Sequence, residues 1–239
     1  MIRALAVATL AALALAGCAG GSRMDDRRAA FLGAAASPSE VIAAELAFAR
    51  MARDKGQWAA FRETATTDAI WPSPGWQNVQ AAIRGRPEPA QPMAWEPDRV
   101  WSSCDGSFAL STGPATYPTG EKVRFATIWQ RQDRGDYRWV LDQGLTLEPS
   151  YTRPEMIAAQ VAECAEPRRG RPAPARRGLA WQSGASDDGT LAWTSELRPD
   201  CSRTLIVRAR RGGAMVEVLR ASAPPPPAPA GAAPPVCTP

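Results

Sequence analysis

The chain has 239 residues, 45% of them hydrophobic, nine tryptophans and a formal net charge of +4. That is enough apolar material for one or two domains with a real core, and the mild, scattered positive charge leaves no nucleic-acid footprint. Histidine is absent, which excludes Ser-His-Asp and Cys-His catalysis, the HExxH zinc site and any histidine-ligated metal. Lys55 and Lys122 are the only lysines, neither in an SxxK setting, and no GxSxG, P-loop or GxGxxG occurs. Any chemistry therefore rests on Asp, Glu, Tyr, Arg or Cys, and neither a cofactor nor a metal is expected.

Arg3 precedes an uncharged apolar run from Ala4 to Ala16. A bilayer-crossing helix needs about 20 residues, so this run is too short. It has the length and flanks of a secretion signal. It ends in Leu15-Ala16-Gly17-Cys18, which resembles the lipobox of bacterial lipoproteins. The resemblance implies a signal peptide over 1–17, cleavage before Cys18, and a diacylglycerol on the Cys18 sulfur that anchors the protein to a membrane. An ordinary signal peptide with a chance cysteine is the alternative. Ala19 follows the cysteine, which by resemblance to enterobacterial sorting implies the periplasmic face of the outer membrane. Residues 18–36 read as a tether.

With Cys18 lipidated, four cysteines remain: Cys104, Cys164, Cys201 and Cys237. An even number in an oxidising envelope suggests disulfides. Of the three pairings, Cys164–Cys201 with Cys104–Cys237 is the one expected, and free buried thiols are the alternative.

Ser37-Pro38-Ser39-Glu40 reads as a capping box with proline in the first turn of a helix. Val41, Ala44, Phe48 and Met51 recur at helical spacing, widened by Ile42, Leu46 and Ala49, and Gly56 is a plausible stop. A shorter helix is expected over 57–64, a strand over 67–71, and a third helix over 76–83 ended by Gly85. From Met93 the period changes. Strands are expected over 99–103, 107–112, 122–131 and 137–142, joined by Cys104-Asp105-Gly106, Pro118-Thr119-Gly120 and Asp133-Arg134-Gly135-Asp136.

Four pieces in this order carry a resemblance: Ala44-Glu45-Leu46-Ala47-Phe48-Ala49-Arg50; Trp95-Glu96-Pro97; Asp105-Gly106-Ser107-Phe108-Ala109-Leu110-Ser111-Thr112-Gly113; and Thr127-Ile128-Trp129-Gln130-Arg131-Gln132 leading to Trp139-Val140-Leu141-Asp142. Together they resemble the SnoaL-like and ketosteroid-isomerase-like branch of the nuclear transport factor 2-like superfamily, over about residues 39–148, which sets the expected domain at 37–150. The resemblance implies an α+β fold, with a curved antiparallel sheet wrapped by helices into a cone with an internal pocket.

Thr152-Arg153-Pro154-Glu155 is a second capping-box pattern, from which a helix is expected to about Cys164. A Pro/Arg linker completes the stretch 151–177, and its arginines read as solvated. Residues 178–220 turn β-rich, with strands expected over 179–182, 190–195, 203–210 and 215–220. Asp188-Gly189-Thr190-Leu191 echoes Asp105-Gly106-Ser107-Phe108, and 204–219 echoes 126–141. This is either a duplicated meander or shared turn chemistry. Asp187-Asp188-Gly189 lacks the spaced carboxylates of a calcium loop and reads as a turn. Residues 221–239 are Pro/Ala-rich and read as a disordered or polyproline tail, to which a disulfide at Cys237 would give a fixed point.

Enzymes of the resembled family hold a carboxylate in the cone, where burial raises its pKa for proton transfer. The candidates here are Asp142 and Asp68, each also readable as a strand-end or capping residue; Tyr117 is a third polar group, near a loop. Alternation puts Val123, Phe125, Thr127 and Trp129 on the interior face of one strand and Arg124, Ala126, Ile128 and Gln130 on the other. Phe125, Trp129, Trp139 and Trp71 either line a pocket or fill it. The expected function is a non-catalytic envelope lipoprotein that binds a small apolar ligand or an envelope protein, with a homodimer as a further option. The alternative is an isomerase or cyclase with an Asp general base.

Overall fold

The computed structural model describes residues 36–164, 176–177, 180–228, 231 and 233–237. The chain divides into two units, Met1–Ala35 and Ala36–Pro239. The expected signal, Cys18 and nearly all of the tether fall in the first and lie outside the described residues, as does the linker over 165–175.

Two helices open the second unit, α1 (Pro38–Lys55) and α2 (Gln57–Thr64). Pro38 starts α1, but the capping box does not form: the Ser37 side chain bonds the Ser39 hydroxyl and makes no cap to the helix. The buried stripe of α1 is Val41, Glu45, Phe48, Ala49 and Ala52, while Leu46 stays exposed. Strand β1 (Ala65–Pro72) follows, then β2 (Trp76–Asn78) and a single helical turn α3 (Val79–Ala82). The third helix is thus shorter than expected. The Asn78 side chain accepts from the Ala81 N–H and caps the turn there, leaving Trp76–Asn78 free to pair with β1.

The remaining strands of the first sheet are β3 (Ala94–Trp95), β4 (Arg99–Ser102), β5 (Phe108–Thr116), β6 (Lys122–Arg131), β7 (Tyr137–Thr146) and β8 (Ala158–Val161). Their order is β2-β1-β7-β6-β5-β4-β8, with β3 also on β5. β1 runs parallel to β7 and β8 parallel to β4; the other pairs are antiparallel. The helix expected from Thr152 to Cys164 is absent. Ala158–Val161 instead satisfies its backbone groups on the edge of β4, and an edge pairing outweighs a local helix signal.

A second sheet comprises β9 (Arg176–Arg177), β10 (Trp181–Ala185), β11 (Leu191–Leu197), β12 (Arg203–Arg211) and β13 (Ala214–Ala223), ordered β13-β12-β11-β10-β9. β13 extends into the region expected to be tail. The first sheet is therefore buried on both faces. Helices cover one, where Val41, Phe48, Ala52 and Phe61 meet Trp129 and Trp139 of the sheet. The second sheet covers the other, where Leu110, Ala126, Ile128 and Leu141 meet Leu191, Trp193, Leu205 and Val207. The fold is α+β and dominated by sheet.

The disulfides are Cys104–Cys164 and Cys201–Cys237, with Cα atoms 5.0 and 5.1 Å apart. This overturns the expected pairing. Because β8 lies beside β4, it delivers Cys164 to the turn that follows β4. The tail returns to the β11–β12 turn, where the Cys237 N–H bonds the Pro199 carbonyl and Cys237 packs with Trp76. The tail is pinned there rather than free.

Candidate functional site

On the helical side of the first sheet, aromatic rings occupy most of the interior. Phe48 of α1 meets Phe61, Trp95, Trp129 and Trp139 at ring separations of 5.1, 4.9, 6.1 and 6.1 Å. Trp129 and Trp139 are fully buried, and the Trp139 indole donates to Thr64 Oγ1 at 2.8 Å. Trp71 is half-buried against Trp58 and Phe61. These three tryptophans, expected at a pocket, fill the interior.

A narrow crevice remains, lined by Phe48, Phe61, Met93, Trp95, Phe125 and Asp142, with a free volume of about 10 Å³. That is the space one water molecule occupies. Phe125 thus lies on a lined surface, while Val123 packs into the same cluster and Thr127 is buried. Asp142 reaches this side because of a β-bulge. Ile128 pairs with Leu141 and Trp129 with Trp139, so Val140 is the extra residue. A bulge re-aims the side chains beyond it: Trp139 and Asp142, three apart, both face the helices, while Leu141 faces the second sheet.

Thr127 Oγ1 donates to Asp142 Oδ1 at 2.9 Å. Burial pushes the Asp142 carboxyl up to about 7, with Glu45 adding to the effect against the Thr127 hydroxyl and the Gln143 backbone. Tyr117 is raised by burial first and by Asp142 second, and its hydroxyl lies beside Gly144. Asp68, the other expected carboxylate, is exposed on β1, where it accepts from Thr66 Oγ1 at 2.9 Å. It is not among the residues lining the crevice.

The second interior carboxyl is Glu45, fully buried on α1. Trp95 Nε1 donates to it at 2.7 Å and Trp129 Nε1 at 3.0 Å, and Ser111 Oγ donates to the same carboxyl. Burial raises its pKa, opposed by these three donors. Sequence reasoning passed over Glu45, although the signal was present. It stands four residues after Val41 and four before Ala49, inside the apolar stripe, where a lone carboxylate is costly unless it is bonded.

Two wider concavities lie at the surface. One, about 500 Å³, is lined by Arg62, Gln80, Arg84, Gly85 and Arg86. There Glu88 pairs with Arg62 at 3.4 Å and Arg86 stacks 4.9 Å from the Trp58 ring. The other, about 410 Å³, carries Arg131, Asp133, Arg134, Asp136 and Arg138. Among the described residues no group of acids or cysteines is placed to hold a metal. No described helix is long and apolar enough to cross a membrane.

No protein-family model matches the chain, and no curated protein matches it. Among solved structures it is similar to a candidate ketosteroid isomerase from Parabacteroides distasonis ATCC 8503, with a TM-score of 0.35 and 16% identity, over 44% of this chain and 86% of that one.

Proposed function

We propose that the protein is a bacterial envelope lipoprotein, lipidated at Cys18 and directed to the outer membrane. Its residues 37–150 form a nuclear transport factor 2-like domain that acts as a non-catalytic module binding another envelope protein. The element order (helix, helix, strand, short helix, meander) and a sheet wrapped by helices on one face support the domain reading. The filled interior carries the non-catalytic reading. A free volume of about 10 Å³ admits a water, whereas small-molecule sites span roughly 300–1,000 Å³. The surface is left to do the binding, and a protein partner suits it better than a small apolar ligand.

Mass spectrometry of the protein purified from native membranes tests the reading. A diacylglycerol on Cys18 and no retained small molecule are the expected result. A Cys18→Ala form that is still processed and still fractionates with membranes would remove the lipoprotein claim.

One observation favours a second reading, an enzyme with a general base. Asp142, held near neutrality beside an apolar crevice, has the pKa such a base needs. Deuterium exchange at carbon next to the carbonyl of enolisable ketones measures this. Exchange by the intact protein that is lost in Asp142→Asn would establish catalysis and sink the non-catalytic reading.

A further inference from the structure

Strands β10–β13 of the second sheet repeat the β4–β7 meander of the first, pairing by pairing. β4 and β5 set Val100 opposite Ser111 and Trp101 opposite Leu110; β10 and β11 set Ser183 opposite Thr194 and Gly184 opposite Trp193. β5 and β6 pair Phe108 with Gln130 and Leu110 with Ile128; β11 and β12 pair Leu191 with Ala209 and Trp193 with Val207. The bulge recurs as well. Val207 pairs with Leu219 and Arg208 with Glu217, leaving Val218 extra where Val140 is extra in the first sheet. A bulge is a specified feature of a strand pair, and shared turn chemistry alone would not reproduce one.

The turns repeat too. Ser103 Oγ donates to Asp105 Oδ1 at 2.6 Å, and Ser186 Oγ to Asp188 Oδ1 at 2.7 Å. Gly106 and Gly189 have φ of 70° and 69°. The two turns also bond each other reciprocally. Asp105 N–H donates to Asp188 Oδ2 at 3.0 Å and Asp188 N–H to Asp105 Oδ2 at 2.8 Å. Cys104 N–H donates to Thr190 Oγ1 and Asp187 N–H to Ser107 Oγ, both at 2.9 Å. Exchanging the turns leaves the pattern unchanged, which is the signature of an isologous, twofold contact.

Among the described residues no helix covers the other face of the second sheet, and its residues there differ accordingly. Trp129, Trp139 and Asp142 correspond to Arg208, Glu217 and Arg220. These are exposed and joined as ion pairs, Arg208–Glu217 at 3.4 Å and Arg220–Glu217 at 2.5 Å. Among the described residues only the first sheet has a helix-covered interior.

We infer that residues 181–223 are a fused second copy of the meander, seated on the face of the first sheet that the helices leave open, and that the protein is a monomer built as an internal pseudo-dimer. Each disulfide lies within one half, so only the linker joins the halves covalently. A protease site inserted at 170 of the mature chain gives the test. Before and after cutting, gel filtration with light scattering is expected to show one particle of monomer mass. Halves that elute apart without denaturant, or an intact chain of dimer mass, would overturn the inference. The turns give a second readout. Asp105→Ala and Asp188→Ala are expected to lower the urea midpoint equally, and the double variant by less than the two together. A loss confined to one of them, or full additivity, counts against the twofold.

Discussion

Glu45 and Asp142 show what burial does to a carboxyl in this protein. Glu45 is held by two indole N–H groups and a hydroxyl. Glu45→Ala leaves the Trp95 indole N–H and the Ser111 hydroxyl without that buried acceptor, while the Trp129 indole keeps Ser111 Oγ at 2.9 Å; each orphaned group costs about 1–3 kcal/mol. Some of this is offset by removing the carboxyl's own desolvation. A net loss of about 3 kcal/mol is expected in urea unfolding, and about 1 kcal/mol for Glu45→Gln, which keeps one acceptor oxygen. Asp142 acts through pH. Its folded pKa, about 7, lies above the ordinary 3.8. Between these values the folded state holds the proton that the unfolded chain has released, so stability falls as pH rises through that window. Asp142→Asn flattens this fall. Because Asp142 is partly exposed, the change amounts to about 2 kcal/mol rather than the full linkage value. Urea midpoints at acidic and neutral pH, compared between the two proteins, check it.

Strand pairing accounts for one glycine and for the expected helix that became a strand. A Cβ on Gly113 would stand 2.2 Å from the Glu96 carbonyl oxygen and 3.0 Å from the Asp98 nitrogen. β5 therefore carries glycine where the segment bearing β3 crosses it. Gly113→Ala is expected to push that segment away and take Trp95 off Glu45. The cost is about 2–3 kcal/mol by overpacking, read as a lower denaturation midpoint together with a shift in tryptophan emission. The same logic explains the helix expected at 152–164. Its capping pattern was legible in Thr152 to Glu155, but the open edge of β4 was not, and pairing with β4 decided the outcome. The long strand 122–131 matched its expectation end to end, because both its period and its turn glycines are local.

Across the whole molecule, the second sheet and the two disulfides act together. Cys201–Cys237 closes a loop with a sequence separation of 36, which pins the tail at the β11–β12 turn beside Trp76. Cys201→Ser with Cys237→Ser is expected to cost about 2–4 kcal/mol through the freed chain entropy, measured as a lower Tm by calorimetry. The second sheet also explains why Ala126 and Ile128, assigned to the outer face of their strand, are fully buried. Alternation identified two faces correctly. It could not tell that the second face, too, is covered.

By itself the sequence determined the features that depend on near neighbours: the helix from Pro38, the meander and its turns, the extra β-rich segment and the echo of Asp105-Gly106 in Asp188-Gly189. Tertiary structure alone decided which cysteines meet, that Asp142 shares a face with Trp139, and that Glu45 sits among indole donors. The reason is one of range. Turn chemistry and periodicity act over a few residues, whereas the pairing of Cys104 with Cys164 spans 60 residues and the Trp129–Glu45 hydrogen bond spans 84. Such contacts are set by which sheet edge and which face remain to be covered. A bulge of one residue at Val140, which no local pattern announces, is enough to turn Asp142 toward the interior.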